Sequence, residues 1–287
     1  MDFINFYLIP GIVQGSIYAL GAIGITLVYS IMRHGHFAHG DLSTFGAFLA
    51  LFFTTTLALP LYAALLLAIV FTGLIGVGLD RLFYANLRNR PKIITTIASF
   101  GVALMLRSVV QVVWGVNTEN YVQGISRPSN WFGIRIKEDE IITVAIVLGI
   151  VFILNFFLTR SKWGKAMRAM SDNPDLALLS GIDNKKVITL TWMIVGGLCA
   201  ASGFLLGLNS EVKSMMGWNM LLPMFSAAIL GGVGRISGAV VGGFIVGIAE
   251  EISVLFLPAE YKMVSAIAIL LLVLLIRPTG IFRGKVL

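Results

Sequence analysis

The chain has 287 residues, of which 57% are hydrophobic and only 12% charged; mean hydropathy is +0.92 and formal net charge +7. A soluble domain carries about 25% charged residues to cover its surface, so these figures exclude one, and with it disorder, a coiled coil and a disulfide scaffold. The single cysteine, Cys199, cannot pair internally. The basic residues sit at the ends of apolar runs, a pattern that a cytoplasmic excess of Lys and Arg explains without nucleic acid as a partner. The expected fold is one all-α polytopic membrane domain, 1–287, embedded in lipid.

A helix needs roughly 20 apolar residues to cross the hydrocarbon core. Stretches without Asp, Glu, Lys or Arg run 3–32, 42–79, 93–106, 108–118, 141–159, 187–210, 214–234, 236–249 and 263–276. The first basic residue is Arg33, after the first apolar run rather than before it. The run is therefore expected to stay as a span, not to be cleaved as a signal peptide. Pro60 divides 42–79 into a tight hairpin of 42–58 and 61–79, because a proline biases the residue before it away from helix. The result is about eight to nine transmembrane or half-spanning helices.

Alternation then sets orientation. Arg33, Arg235, the basic residues of 80–92 and 160–186, and the tail residues Arg277, Arg283 and Lys285 all fall on one side, 15 of the 21 Lys and Arg. Placing that side in the cytoplasm puts the N-terminus outside and the C-terminus inside.

Glycine recurs inside the spans, for example at Gly234, Gly238 and Gly242, and such rows let helix backbones approach in lipid. A sharper expectation is that the segment around Gly231, Gly232 and Gly234 is unwound and lines a pathway, since non-helical backbone at membrane depth must be buried in protein or face water. Short Gly-interrupted segments in two halves would mark an inverted repeat, with 33–58 and 209–249 as the candidates.

Four polar groups need a reason. Arg107 interrupts an apolar run and is expected either to face protein or water, or to snorkel where two short helices meet near an interface. Glu250, next to Glu251, is expected to line the mouth of a pathway. His34, His36 and His39 share a window that reads as a polar loop rather than a metal site, with Asp41 capping the helix that follows. No catalytic residue is expected, because the chain has no G-x-x-x-x-G-K-[ST] loop, H-E-x-x-H or G-x-S-x-G.

The segment 160–186 is the most informative. Asn173 can cap, Pro174 suits the first helical position and Gly181 is a natural stop, which predicts a helix of about 174–180. Its Leu176, Leu178 and Leu179 are apolar groups on a cytoplasmic segment and call for a protein partner; the alternative is a surface helix packed on the protein's own spans.

Several of these stretches together resemble the permease subunits of branched-chain amino-acid ABC importers, more the shorter LivH half than the LivM half. They are Gly15-Ser16-Ile17-Tyr18-Ala19-Leu20, His36-Phe37-Ala38-His39-Gly40-Asp41, 168–182, Gly231-Gly232-Val233-Gly234-Arg235-Ile236-Ser237-Gly238-Ala239 and Arg277-Pro278-Thr279-Gly280-Ile281-Phe282. The match departs at His36, where the family's pattern usually has Asn before Phe. The resemblance implies two cytoplasmic ABC ATPase subunits that carry ATP and Mg, a second permease subunit in a homo- or heterodimer, and an extracytoplasmic solute-binding protein, in a prokaryotic inner membrane. This chain would hold no cofactor or metal. Arg168, Asn173, Pro174, Leu176, Leu178, Leu179 and Gly181 would then couple to the ATPase, and Phe37, Gly40, Asp41, Gly231, Gly232, Gly234 and Glu250 would line the translocation pathway. The substrate would be a branched-chain or other neutral, hydrophobic amino acid. The alternatives are an ABC permease for urea or short amides, a proton-coupled secondary transporter, and a scaffold subunit with no pathway.

Overall fold

The computed structural model describes residues 2–121, 128–131, 133–277 and 279–282; Arg283, Lys285 and Pro278 lie outside them. Eleven α-helices are described: α1 (Ile9–Met32), α2 (Ala38–Thr55), α3 (Leu61–Leu79), α4 (Lys92–Trp114), α5 (Glu138–Arg160), α6 (Lys162–Asp172), α7 (Pro174–Leu179), α8 (Asn184–Asn209), α9 (Met216–Gly231), α10 (Ile236–Ser253) and α11 (Lys262–Ile276). Seven helices are long and apolar enough to cross a membrane, and the shorter α9 is also apolar. The protein is therefore an all-α polytopic membrane protein.

Local chemistry sets the helix ends. α1 stops where Arg33 takes a left-handed φ of 59°. Pro60 precedes α3 as predicted. Glu138, Asp139 and Glu140 fill the first turn of α5, where acids favour the positive end of the helix dipole. Asp183 Oδ1 accepts from the backbone N–H groups of Lys185 and Lys186 at 3.0 and 3.3 Å and caps α8. Those N–H donors hold the Asp183 carboxyl below its usual range.

The helix packing repeats itself. α1 packs along α10, and α8 packs along α3. α2 lies between α3 and α4 and against α8; α9 lies between α10 and α11 and against α1. Exchanging α1, α2, α3 and α4 for α8, α9, α10 and α11 maps each of these pairings onto another. In both halves a long buried helix is followed by a short non-helical link (33–37, 210–215) and then a short buried helix. The antiparallel contacts of α1 with α10 (Gly11 beside Ile248, Gly15 beside Phe244) and of α9 with α10 (Gly231 beside Gly238, Ala227 beside Gly242) make the two halves inverted. The repeat thus spans more than 33–58 and 209–249. Among the described helices, α5, α6 and α7 have no counterpart in this exchange.

The basic segments gather at one end. Arg33 donates to the Ser171 carbonyl there, and the Ile281 N–H donates to the Leu230 carbonyl at 2.8 Å. At the opposite end a two-stranded hairpin, β1 (Ser129–Trp131) with β2 (Ile134–Ile136), is tied to the N-terminus. There Asn5 Nδ2 donates to the Gly133 carbonyl, and the Arg135 N–H donates to Asn5 Oδ1, both at 3.1 Å.

Four sequence expectations are corrected. α4 runs unbroken through Arg107, so two short helices do not meet there. Asp41 sits in the first turn of α2 but caps nothing; the N-cap is Phe37, without a side-chain bond. His34 and His36 lie in the loop 33–37 as expected, but all three histidines are buried and His39 lies inside α2. The leucines of α7 are not packed on the protein's own spans: Leu176 and Leu178 are each 59% exposed and Leu179 is 84% exposed.

Candidate functional site

α2 and α9 begin inside the protein, and their first turns touch. The Gly217 N–H donates to Thr44 Oγ1 at 2.9 Å. A Cβ on Gly217 would lie 1.9 Å from the Gly40 carbonyl oxygen, and one on Gly40 would lie 2.2 Å from the Gly217 oxygen. Only glycine at both positions permits this crossing. His39 packs on Gly24 of α1, roughly 12 Å in from the end of that helix at 1.5 Å per residue. Two positive helix ends therefore converge at depth, where negative charge is favoured.

The negative charge is Asp41. Arg107 of α4 donates from Nε and Nη2 to its two carboxylate oxygens at 2.8 and 2.9 Å. The Asp41 side chain is fully buried and that of Arg107 is 13% exposed. The same guanidinium lies 4.8 Å from the ring centre of Trp218, in the first turn of α9. One cation thus clamps the residues that follow Gly40 and Gly217. A buried pair of this kind is not itself a large source of stability, but removing one partner strands the other charge.

An aromatic wall leads away from the clamp. Trp218 meets Phe100 at 5.8 Å between ring centres; Phe37 meets Phe100 at 6.4 Å and Phe225 at 5.4 Å. Phe100 is 41% exposed, so the wall opens on the outer face of the chain. Of the predicted pathway residues, Phe37, Gly40 and Asp41 come together here.

The others do not. Gly231 is the last residue of α9, and Gly232 and Gly234 lie in the turn between α9 and α10 at the basic end. The turn is non-helical as expected, with φ of 98° at Gly232 and 97° at Gly234. Gly231 and Gly232 are buried under the segment 279–282. Glu250 lies toward the opposite end, buried, accepting from the Tyr18 hydroxyl at 2.6 Å. Tyr18 separates it from a cleft of about 260 Å³ lined by Gln14, Ser210, Glu211, Lys213 and Asn219 among methionines. Glu251 instead pairs with Lys262 at 2.7 Å.

The histidines are packing groups. His36 meets Trp192 at 4.9 Å and Tyr84 at 5.6 Å between ring centres, and its Nε2 is 3.2 Å from the Tyr84 hydroxyl. The His39 ring lies against Cys199 Sγ at 3.4 Å. His34, in the link before α2, is held down to about 4 by burial, with Lys92 adding to the effect against a hydrogen bond to the Met32 backbone.

At the basic end the predicted coupling residues form one unit. Asn173 Oδ1 accepts from the backbone of Asp175 and Leu176 at 3.0 and 3.1 Å, capping α7 behind Pro174. Gly181 has a φ of 82°. Arg168 of α6 donates to the Leu158 carbonyl and fixes α6 to the end of α5. Asn184 Nδ2 holds α7 from the other side through the Pro174 carbonyl at 3.0 Å. α7 is thus held at its first turn by its own cap and by Asn184, and presents its leucines outward.

The sequence profile described as branched-chain amino acid transport system / permease component matches residues 7–274. This chain belongs to that permease family. It is 33% identical to the high-affinity branched-chain amino acid transport system permease protein BraD of Pseudomonas aeruginosa, over 96% of this chain and 94% of that one. It is also 33% identical to the LivH permease protein of Escherichia coli, over 94% and 92%. Among solved structures, PsaBC from Streptococcus pneumoniae in complex with Fab shares the fold, with a TM-score of 0.54 at 16% identity, covering 97% of this chain and 95% of that one. In this permease the sequence does not mark Arg107 and Trp218 as site residues: Arg107 reads only as a charge at membrane depth, and the acid Asp41 is the signal for its partner.

Proposed function

We propose that this chain is the membrane subunit of an ATP-driven importer that moves branched-chain or similar neutral, apolar amino acids inward. α7 would be the surface on which a separate ATPase subunit pushes. The observation that carries the reading is a capped six-residue helix, packed on α6 and held by α8, that turns Leu176, Leu178 and Leu179 outward at the basic end. Apolar side chains held this way cost free energy until a partner covers them. Family membership and the names of the relatives support a separate motor and this substrate class.

In this reading the basic end is cytoplasmic, the N-terminus is outside, and the membrane is the inner membrane of a prokaryote. ATP and Mg belong to the ATPase subunits. A second permease subunit would cover the aromatic wall of Phe37, Phe100 and Trp218, and a solute-binding protein would deliver substrate to the opposite end. Closure of the motor would move α7 and, through Arg168 and Asn184, tilt α5 and α8. Because α8 packs on α2, the tilt would reach the Gly40–Gly217 crossing.

Affinity purification of the tagged chain from its native membrane tests this. Stoichiometric recovery of an ABC ATPase is the expected result; recovery of the chain alone from membranes that do contain such an ATPase overturns it.

A further inference from the structure

α5, the membrane-spanning helix outside the repeat among the described residues, packs chiefly against α1 and meets α8 only sparsely. Between α5, α8 and one residue of α3 this leaves a groove of about 500 Å³. Every residue lining it is apolar or glycine, among them Ile153, Phe157, Leu190, Ile194, Gly197 and Ala201. On α8 it extends over residues 190–201, about 17 Å at 1.5 Å per residue. One leaflet of a bilayer has a hydrocarbon depth of about 15 Å, half of the usual 30 Å. The groove therefore runs the depth of one leaflet, starting six residues into α8 from the basic end.

The mouth of the groove carries positive charge. Arg160 is three residues beyond Phe157 and Lys186 four residues before Leu190, so each shares its helix face with a groove residue. Arg160 is exposed and has no ion-pair partner among the described residues. Lys186 is 71% exposed and its Nζ is 3.5 Å from a carboxylate oxygen of Asp183, itself 49% exposed; such a surface pair is weak and leaves the ammonium available. Trp163, 45% exposed, follows at the start of α6, and tryptophan favours the headgroup level of a bilayer. An apolar slot one leaflet deep with two cations at its mouth matches one class of ligand in both halves.

We propose that the groove binds an anionic phospholipid, with an acyl chain between α5 and α8 and the phosphate between Arg160 and Lys186. The bound chain fills the space that α5 leaves open, so the lipid completes the contact between the unpaired helix and the repeat.

The test is lipid retention by the full chain, purified in mild detergent and read by native mass spectrometry, with thermal shifts on adding phosphatidylglycerol or phosphatidylcholine. Phosphatidylglycerol should be retained in near-stoichiometric amount and should raise the midpoint several degrees more than phosphatidylcholine does. Arg160→Gln with Lys186→Gln should remove the preference for the anionic lipid. Ile153→Trp, at a position 68% exposed, should displace bound lipid by filling the slot. Equal retention and equal shifts for the two lipids in the wild-type chain would overturn the proposal, whatever the variants do. So would recovery of another membrane protein cross-linked at position 153 in place of lipid.

Discussion

Arg107 and Asp41, 66 residues apart in the chain, meet in a bidentate ion pair at the point where α2 and α9 cross. The pair fixes the first turn of α2, and the stacking of Arg107 on Trp218 fixes that of α9. Asp41→Asn should strand a buried guanidinium and lower stability by about 3–5 kcal/mol. Adding Arg107→Met should recover much of that loss, because no charge is then left unpaired. Thermal unfolding in detergent of the two single variants and the double variant measures the coupling; purely additive losses would mean the pair is not the clamp.

The crossing itself depends on two glycines. Gly217→Ala would place a methyl 1.9 Å from the Gly40 carbonyl, and backbone cannot step aside as a side chain can. The loss should exceed the roughly 1–3 kcal/mol of an ordinary overpacked core. Gly101→Ala is the matched control, since nothing lies within 4 Å of the added carbon; its unfolding midpoint should stay within a degree or two of wild type.

Orientation is open to labelling. In a background where buried Cys199 is replaced by Ala, a membrane-impermeant thiol reagent applied outside should modify a cysteine at Val116, which is 70% exposed, and miss one at Asn89. Gly124, in the same loop as Val116, lies outside the described residues. The reverse pattern would invert the assignment of the basic end.

Leu178→Asp separates folding from coupling. The side chain is 59% exposed, so the stability of the isolated chain should change by about 0.5 kcal/mol or less. At a docked ATPase surface the same carboxylate would be buried without a partner, at a cost of several kcal/mol. Association with the ATPase, or uptake-stimulated hydrolysis, should be lost while the chain still inserts. A normal complex with normal uptake would place the grip of the motor elsewhere.

What the sequence conveyed and what it concealed divide along physical lines. Span positions, the α2–α3 break at Pro60 and the caps at Asn173 and Gly181 depend on neighbouring residues, so they were readable. The partner of Arg107 was not: 66 residues separate it from Asp41, and an acid before an apolar run looks like a cap. The inverted repeat was only faintly visible because α2 and α9 share backbone geometry rather than sequence; Asp41 on one side corresponds to Trp218 on the other. The histidine window looked polar because residue type, not packing against Trp192 and Tyr84, was all that could be seen. Exposure of the α7 leucines likewise depends on where α6 and α8 hold that helix.

The most direct test of the account is uptake by the chain reconstituted in vesicles with the proposed partners, an ABC ATPase, a second permease subunit and a solute-binding protein, using radiolabelled leucine. Accumulation should require ATP hydrolysis and should stop with Leu178→Asp. Accumulation driven by a proton gradient through the purified chain alone, without ATP, would contradict the account.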